Sequence, residues 1–165
     1  MIAIQKRSGF TIVELLIVIV VIAILAAITI VAFRGVQNRA NDSAVRADIV
    51  RAASKLKLAD VDLTHYPWND SEMPDFKVSK DSYDLTLNNV YYCTDKVNNT
   101  YALGLRSKSM KGFIATNSVI NEGVSVSGAA TCAAIGKTWI NDATTGVIQG
   151  YSSSVGWSSG WKWTQ

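Results

Sequence analysis

Residues 6–33 read KRSGFTIVELLIVIVVIAILAAITIVAF, and this stretch decides the fold of a chain of 165 residues. Between residues 10 and 33, 21 of 24 positions are apolar, and lysine and arginine are absent. An α-helix of that length is about 36 Å long, which exceeds the ~30 Å hydrocarbon thickness of a bilayer. We therefore predict a membrane-spanning helix over residues 10–33, which disfavours a water-soluble cytoplasmic enzyme.

The charged residues are distributed unevenly along the chain, whose net charge is +3. Lys6 and Arg7 precede the apolar block, an arrangement that holds the amino terminus in the cytoplasm and exports the residues beyond the block. Residues 34–60 hold six basic and three acidic side chains, whereas residues 61–165 hold eight basic and nine acidic. Because the positive surplus flanks the apolar block, it disfavours nucleic acid as a partner without excluding it.

Glu14 is the one charged residue within the apolar block. A carboxylate costs about 2–3 kcal/mol near the centre of a membrane helix, so residues of this kind usually have a partner. Since the span contains no cation, the sequence predicts that this partner is a chain terminus or another molecule. A secretory signal peptide would have a shorter apolar core and a small-residue cleavage site, and a plain anchor would leave Glu14 unexplained.

Residues 6–14, Lys-Arg-Ser-Gly-Phe-Thr-Ile-Val-Glu, resemble the class III signal of the type IV pilins and of the pseudopilins of type II secretion. The resemblance implies cleavage between Gly9 and Phe10, N-methylation of Phe10, and a cleaved leader over residues 1–9. It also implies that the Glu14 carboxylate pairs with the terminal amine of Phe10, commonly that of a neighbouring subunit, during filament assembly.

The same resemblance implies partners and a location. The partners are a prepilin peptidase, an inner-membrane platform protein, an assembly ATPase, membrane lipid before assembly and further copies of the chain itself. The subunit would first span the inner membrane once with its head outside, and would then join a cell-surface or periplasmic filament.

Two positions depart from a pattern that is common in that family, which has glycine and proline where this chain has Ala23 and Val31. Proline removes an intrahelical hydrogen bond, whereas alanine favours the helix. We therefore expect the helix to stay wound between residues 23 and 31.

Residues 34–60 contain no proline and should extend the same helix. At 100° per residue the apolar side chains form two stripes on opposite faces. The first stripe consists of Val36, Ala40, Ala44, Ala47, Val50 and Leu58, and the second of Val45, Ile49, Ala52 and Leu56. Two apolar faces predict that one packs on the chain's own head and the other on neighbouring helices. The alternative is a helix buried on both sides within one domain.

Residues 61–165 should form a small antiparallel β-sheet head, which gives an α+β fold class. Residues 62–82 hold both prolines and an acidic cluster, and should be an irregular, solvated connection. The predicted strands are 85–87, 90–94, 100–105, Gly112–Thr116 and 145–150, with a hairpin turn at 98–99. Residues 129–136 should be a short helix or a loop. A ladle shape is what the pilin resemblance implies for this arrangement.

Cys93 and Cys132 are the two cysteines, and both lie on the exported side, so a disulfide between them is favoured over free buried thiols. His65 stands alone and should be a surface side chain. The sequence contains no P-loop, metalloprotease or nucleophile-elbow motif. It therefore predicts no enzymatic activity, no cofactor and no metal site.

The carboxyl-terminal stretch alternates serine and glycine with Trp157, Trp161 and Trp163. Such aromatic side chains cover the open side of a sheet, or they stack on sugar rings or unpaired bases, and packing is favoured here. The leading functional prediction is a structural filament subunit. The alternatives are a secretion pseudopilin and a minor tip pilin that binds a surface, a glycan or DNA.

Overall fold

The computed structural model describes residues 9–158. The chain divides into two compact units, residues 1–37 and residues 38–165. Helix α1 runs without a break from Ile12 to Leu63, three residues beyond the predicted extension. It ends where Thr64 takes a positive φ of 66°, a left-handed conformation that commonly terminates helices.

In the first unit, every residue from 9 to 37 is exposed. The apolar part of α1 makes this helix long and apolar enough to cross a membrane. Exposed aliphatic side chains over about 20 positions would be unfavourable in water, where each buried methylene contributes about 0.8 kcal/mol. This part of the helix is therefore suited to lipid or to other helices.

The second unit contains a six-stranded antiparallel sheet in the order β4-β3-β2-β1-β5-β6. Its strands are β1 (Val90–Asp95), β2 (Thr100–Arg106), β3 (Gly112–Thr116), β4 (Ile120–Glu122), β5 (Thr145–Ser152) and β6 (Gly156–Trp157). A short helix, α2 (Gly128–Ala133), precedes β5. The α+β fold class predicted from the sequence is confirmed.

The core of the second unit lies between α1 and one face of the sheet. The second apolar stripe of α1 is buried there, with Val45, Ile49 and Leu56 fully inaccessible to solvent. It shares one cluster with strand side chains such as Tyr92 and Leu103. Helix α2 covers the opposite face, where Gly104 is required because a Cβ atom there would lie 2.4 Å from Oγ1 of Thr131.

The first apolar stripe of α1 is not covered in the second unit. Val50 is 42% exposed and Leu58 is 64% exposed, whereas Ala44 is half-buried. The interpretation that α1 is buried on both sides within one domain is therefore wrong for residues 38–63. One apolar face packs on the head, and the other remains free for a partner.

Residues 85–87 form a turn, so the strand predicted there is wrong. The carboxylate of Asp84 accepts hydrogen bonds from the backbone N–H (2.9 Å) and hydroxyl (2.6 Å) of Thr86, and Leu87 N–H donates to the Asp84 carbonyl. These local bonds compete with pairing in a sheet. Strands β4 and β6 were not predicted from the sequence, because they are too short to show an alternation of apolar and polar residues.

The connection before the sheet is irregular, as predicted, apart from single 3-10 turns at Asp70–Glu72 and Lys80–Ser82. The expectation that it is solvated is wrong for Met73, Phe76 and Val78, which are buried in the core. Residues 129–136 were expected to form either a short helix or a loop, and the structure shows the helix, α2, which begins one residue earlier at Gly128. The side-chain oxygen of Ser127 caps it by accepting a hydrogen bond from the Ala130 N–H, 3.1 Å away. Residues 96–99 form the turn of the β1–β2 hairpin, in which Asn99 has a φ of 49°.

Candidate assembly site at the amino end of helix α1

The first turn of α1 is closed by reciprocal hydrogen bonds between Thr11 and Glu14. The Glu14 carboxylate accepts from the backbone N–H of Thr11 at 2.8 Å and from its hydroxyl at 2.7 Å. The Glu14 N–H in turn donates to Oγ1 of Thr11 at 3.2 Å. A threonine followed three residues later by glutamate is the capping box of helix amino termini, which satisfies N–H groups that lack an intrahelical acceptor.

This geometry adds a partner within the same chain to those expected for Glu14. The sequence predicted that a chain terminus or another molecule must satisfy its carboxylate, but Thr11 of the same chain provides two donors. The missed signal was present as the Thr-x-x-Glu spacing just before the apolar run. The Glu14 carboxylate is therefore held at the very start of the helix, with its remaining lone pairs available to a second donor.

The two residues on either side of the predicted cleavage site, Gly9 and Phe10, are accessible to solvent. Phe10 is 91% exposed, and a Cβ atom added at Gly9 would meet nothing within 4 Å. Lys6 and Arg7, the predicted leader charges, lie outside the described residues. The described part of the predicted site therefore consists of Gly9, Phe10 and Glu14, and the structure adds Thr11 to it.

The interior of the apolar segment is continuous helix, including residues 23–31. Its one polar side chain beyond Glu14 is Thr29, whose hydroxyl donates to the carbonyl of Leu25 at 2.7 Å. This intrahelical bond satisfies the donor of the hydroxyl, as expected for a threonine in an apolar medium. Because neither Ala23 nor Val31 is a proline, every backbone N–H in this stretch can donate an intrahelical hydrogen bond.

A second polar cluster fixes the connection before the sheet onto α1. The buried carboxylate of Asp48 accepts from the Ser79 N–H at 2.8 Å and from the Tyr83 hydroxyl at 3.0 Å, and it pairs with Arg51. Burial and the neighbouring Asp48 charge raise the pKa of Tyr83 well above its ordinary value. Tyr83 is therefore a neutral donor, and the cluster is structural.

A third cluster joins α1 to the short edge strand β4. Arg46 pairs with Glu122 at 2.5 Å, and Lys111 pairs with the other oxygen of the same carboxylate at 3.0 Å. Both cations lower the pKa of Glu122 through hydrogen bonds. These side chains are all accessible to solvent, so the cluster contributes little to stability.

Cys93 of β1 and Cys132 of α2 are joined by a disulfide with a Cα–Cα distance of 5.3 Å.

Asp95, two residues further along β1, accepts hydrogen bonds from the Asn98 side chain and from the N–H groups of Val97 and Asn98, and it pairs with Lys137 at 3.1 Å. Burial opposes ionisation of Asp95, but these donors outweigh it and lower its pKa to about 2.

Trp157 lies in the sheet and is half-buried. Its ring contacts Tyr151 at a centroid distance of 4.8 Å and Tyr83 at 6.1 Å, in edge-on or tilted orientations that favour aromatic packing. Trp161 and Trp163 lie outside the described residues. The contacts of Trp157 favour the packing interpretation of this residue over ligand contact.

His65 is half-buried and stacks on Trp68 with a centroid distance of 4.0 Å. Its Nδ1 atom lies 2.9 Å from the carbonyl oxygen of Tyr66. Within residues 9–158, no three His, Cys, Asp or Glu side chains are placed to hold a metal ion. The acidic connection instead uses Glu72 to accept from the Trp68 N–H at 2.8 Å and from the Asn69 side chain at 2.6 Å.

Comparison with known proteins bears on the apolar segment and its flanks. Residues 4–30 match the family model described as the prokaryotic N-terminal methylation motif. The chain carries the prokaryotic N-terminal methylation motif. The resemblance drawn from residues 6–14 is thereby confirmed, and the motif includes both partners of the capping box.

Three curated proteins are similar to the chain. The type IV wide pilus major component of Thermus thermophilus is 38% identical over 69 residues, which cover 42% of this chain and 53% of that protein. The type II secretion system core protein G of Escherichia coli is 34% identical over 65 residues, covering 39% of this chain and 45% of that protein. The core protein G of Klebsiella michiganensis is 35% identical over 63 residues, covering 38% and 44%.

The chain thus spans about half the length of the curated relatives that it matches. These relatives are named as components of a pilus and of a secretion system, and none is named as an enzyme. No solved structure matches the chain significantly.

Proposed function

We propose that the chain is the prepilin of a type IV pilus-like filament, cut after Gly9, methylated at Phe10 and assembled through α1. The observation that carries the proposal is Glu14, placed at the start of an exposed apolar helix within the methylation motif. A carboxylate there is unfavourable in lipid, and an incoming terminal amine would relieve its charge. The proposed regions are a leader over 1–9, a membrane span over 10–33, an extension over 34–60 and a head over 61–165.

Thr11 gives this proposal a concrete first step. The capping box satisfies Glu14 while the subunit is alone in the bilayer, and the free lone pairs of the carboxylate then receive the methylated amine of a neighbouring Phe10. A charge-assisted pair between them would be strong in a medium of low dielectric constant. Glu14 would thereby help set the register of each added subunit.

The partners belong to the same proposal. A prepilin peptidase would cut the open backbone at Gly9, and a platform protein with an assembly ATPase would extract the subunit from the inner membrane. Further copies of the chain would replace the lipid around residues 12–33. The mature filament would lie at the cell surface or in the periplasm.

Intact-mass analysis of the mature protein tests this function. The expected mass corresponds to a chain that begins at Phe10 and carries one additional methyl group. A chain that retains Met1, or one cut beyond residue 23, would rule the proposal out. The variant Glu14→Gln should still be cut after Gly9, but it should enter filaments poorly, whereas Glu14→Asp should retain part of the assembly.

A secretion pseudopilin is the second candidate, because two of the similar proteins are core proteins of type II secretion. Its short filament would act as a piston in the periplasm and would not form a surface appendage. Genes for a secretion channel beside the coding sequence would favour this candidate, and genes for pilus retraction would favour the pilus.

A minor tip pilin that binds a surface, a glycan or DNA is the remaining candidate. Deleting residues 159–165 tests it more cleanly than a longer deletion, because Tyr151 is buried in the core and Trp157 contacts it. Loss of adhesion or DNA uptake with normal filaments would favour the tip role. Normal adhesion and uptake would exclude a ligand site in those seven residues.

A further inference from the structure

A groove of about 460 Å³ lies along the hairpin that strands β5 and β6 form at one edge of the sheet. This volume lies within the range of roughly 300–1,000 Å³ that is typical of small-ligand sites. Among the described residues, its lining consists of Gln149, Ser152, Val155, Gly156, Trp157 and Ser158. We propose that this groove binds an uncharged oligosaccharide. The proposal adds a ligand site to the filament function above, and its test requires neither cleavage nor assembly.

The chemistry of the lining is the first reason. The six residues provide an aromatic ring, a carboxamide, two hydroxyls and an aliphatic side chain, and none of the six is charged. Carboxamides and hydroxyls donate and accept hydrogen bonds, as the hydroxyls of a sugar do, and the electron-rich face of an aromatic ring attracts the C–H face of a sugar. Nucleic acids are held mainly by lysine and arginine, so this lining favours a neutral ligand.

The aromatic wall of the groove is fixed before a ligand arrives. The Trp157 ring packs on Tyr151 at a centroid distance of 4.8 Å and on Tyr83 at 6.1 Å. It is only half-buried, so one part of the ring packs on the head while another part lines the groove. The Gln149 side chain donates to the carbonyl oxygen of Tyr151 at 3.4 Å, which leaves its own oxygen as an acceptor for a sugar hydroxyl.

The turn between β5 and β6 is fixed as well. The N–H and the hydroxyl of Ser153 donate to the side-chain oxygen of Asn88 at 2.9 Å and 3.3 Å, and the Ser154 N–H donates to the Ser152 hydroxyl at 3.3 Å. Gly156 has a φ of 88°, a conformation that favours glycine. Because these bonds hold the turn in the free protein, little conformational entropy is lost when a ligand binds.

The surface beside the groove accommodates more than one sugar ring. Tyr91 of β1 is paired directly with Gln149 of β5, so their side chains lie on the same face with Cβ atoms about 5 Å apart. The Tyr91 ring meets the Trp139 ring edge-on at 5.5 Å, and both rings are half-buried. Gly128 permits this arrangement, because a Cβ atom there would lie 2.4 Å from the Trp139 ring. Gln149 thus lies between two aromatic surfaces, which suits several linked sugar units.

Glycan binding by the purified full chain in detergent micelles tests the proposal. On a printed array of neutral, sialylated and sulfated oligosaccharides, the wild type should bind at least one neutral oligosaccharide. Gln149→Ala should weaken that binding about tenfold, because it removes the carboxamide between the two aromatic surfaces. Asn121→Ala removes an exposed carboxamide from β4, at the other edge of the sheet, and should bind as the wild type does. No binding of a neutral oligosaccharide, binding of charged oligosaccharides alone, or equal affinity of Gln149→Ala and the wild type would overturn the proposal.

Two further variants separate the groove from its surroundings. Ser158→Tyr fills the groove with a larger side chain and leaves Gln149 in place, so it should lose binding while near-ultraviolet circular dichroism shows a folded head. A chain without residues 159–165 should bind as tightly as the wild type. Unimpaired binding by Ser158→Tyr, or loss of binding in the shortened chain, would place the ligand outside the groove and overturn the proposal.

Discussion

The hydroxyl of Thr11 donates a 2.7 Å hydrogen bond to the carboxylate of Glu14, one turn further along the helix. The backbone N–H of Thr11 donates to the same oxygen at 2.8 Å. Glu14 therefore has two roles at one position, because it closes the first turn of α1 and carries the charge proposed to bind a neighbouring terminus. The two roles can be separated by changing Thr11 and leaving Glu14 in place.

Replacing Thr11 with valine should loosen the first turn of α1 by about 1 kcal/mol, the usual cost of losing a capping side chain. Thr11→Ser retains the hydroxyl and serves as the matched control. Hydrogen exchange of the full chain in detergent micelles should show faster exchange at the Glu14 amide in Thr11→Val alone. Equal protection in the two variants would contradict the role of the capping box.

Asp48 should be among the most sensitive positions of the head. Asp48→Ala leaves the Ser79 N–H and the Tyr83 hydroxyl without their acceptor, which should cost about 3 kcal/mol. Tyr83→Phe should cost about 1 kcal/mol, and the double variant should cost less than the sum. Thermal unfolding of the full chain by near-ultraviolet circular dichroism measures this coupling.

The control for that cycle is Asp81→Ala, which removes an exposed carboxylate from the adjacent 3-10 turn. Its effect should lie within about 0.5 kcal/mol of zero. Strictly additive effects of Asp48→Ala and Tyr83→Phe would show that the two side chains do not interact.

The stabilising contribution of the Asp95 carboxylate to the head should be lost in acid. Its pKa falls from 3.8 to about 2 on folding, so the folded state binds this proton less readily than the unfolded state. The contribution, about 2 kcal/mol, is fully present above pH 4 and is lost as the pH falls toward 2. Asp95→Asn should be less stable at neutral pH and should lack this part of the acid transition, as measured by unfolding at several pH values. An unchanged acid transition would contradict the assignment.

Residues 23–31 should remain helical in the assembled filament, because Ala23 and Val31 allow every intrahelical hydrogen bond. Hydrogen exchange of intact filaments should show these amides protected. Val31→Pro should remove one donor and expose the preceding turn, whereas Val31→Ala should match the wild type. Rapid exchange of residues 23–31 in wild-type filaments would refute the expectation.

The sequence predicted α1 well because its signals are long and local. The apolar run, the absence of proline over residues 10–63 and the two opposed stripes all act on one continuous element. The head was less predictable, since Leu85 and Leu87 suggested a strand while the side chain of Asp84 formed a turn with Thr86. That competition is decided by local hydrogen bonds and not by apolar content.

The candidate site was partly visible in the sequence. Gly9, Phe10 and Glu14 followed from the motif, whereas the role of Thr11 depends on its spacing of three residues from Glu14. The groove between Gln149 and Trp157 could not be foreseen, because it depends on the turn that returns β6 to the edge of β5. Only the tertiary structure anchors that turn to Asn88.

The position of β5 has a consequence for the time at which the head can form. This strand, Thr145–Ser152, lies beside β1 and occupies a central place in the sheet, although about 50 residues separate the two strands. The hairpins built from β1 to β4 can pair before β5 is available, and the disulfide can already join Cys93 to Cys132. The sheet is complete only when β5 and then β6, which ends at Trp157, have joined it, so the last step of folding waits for these two strands.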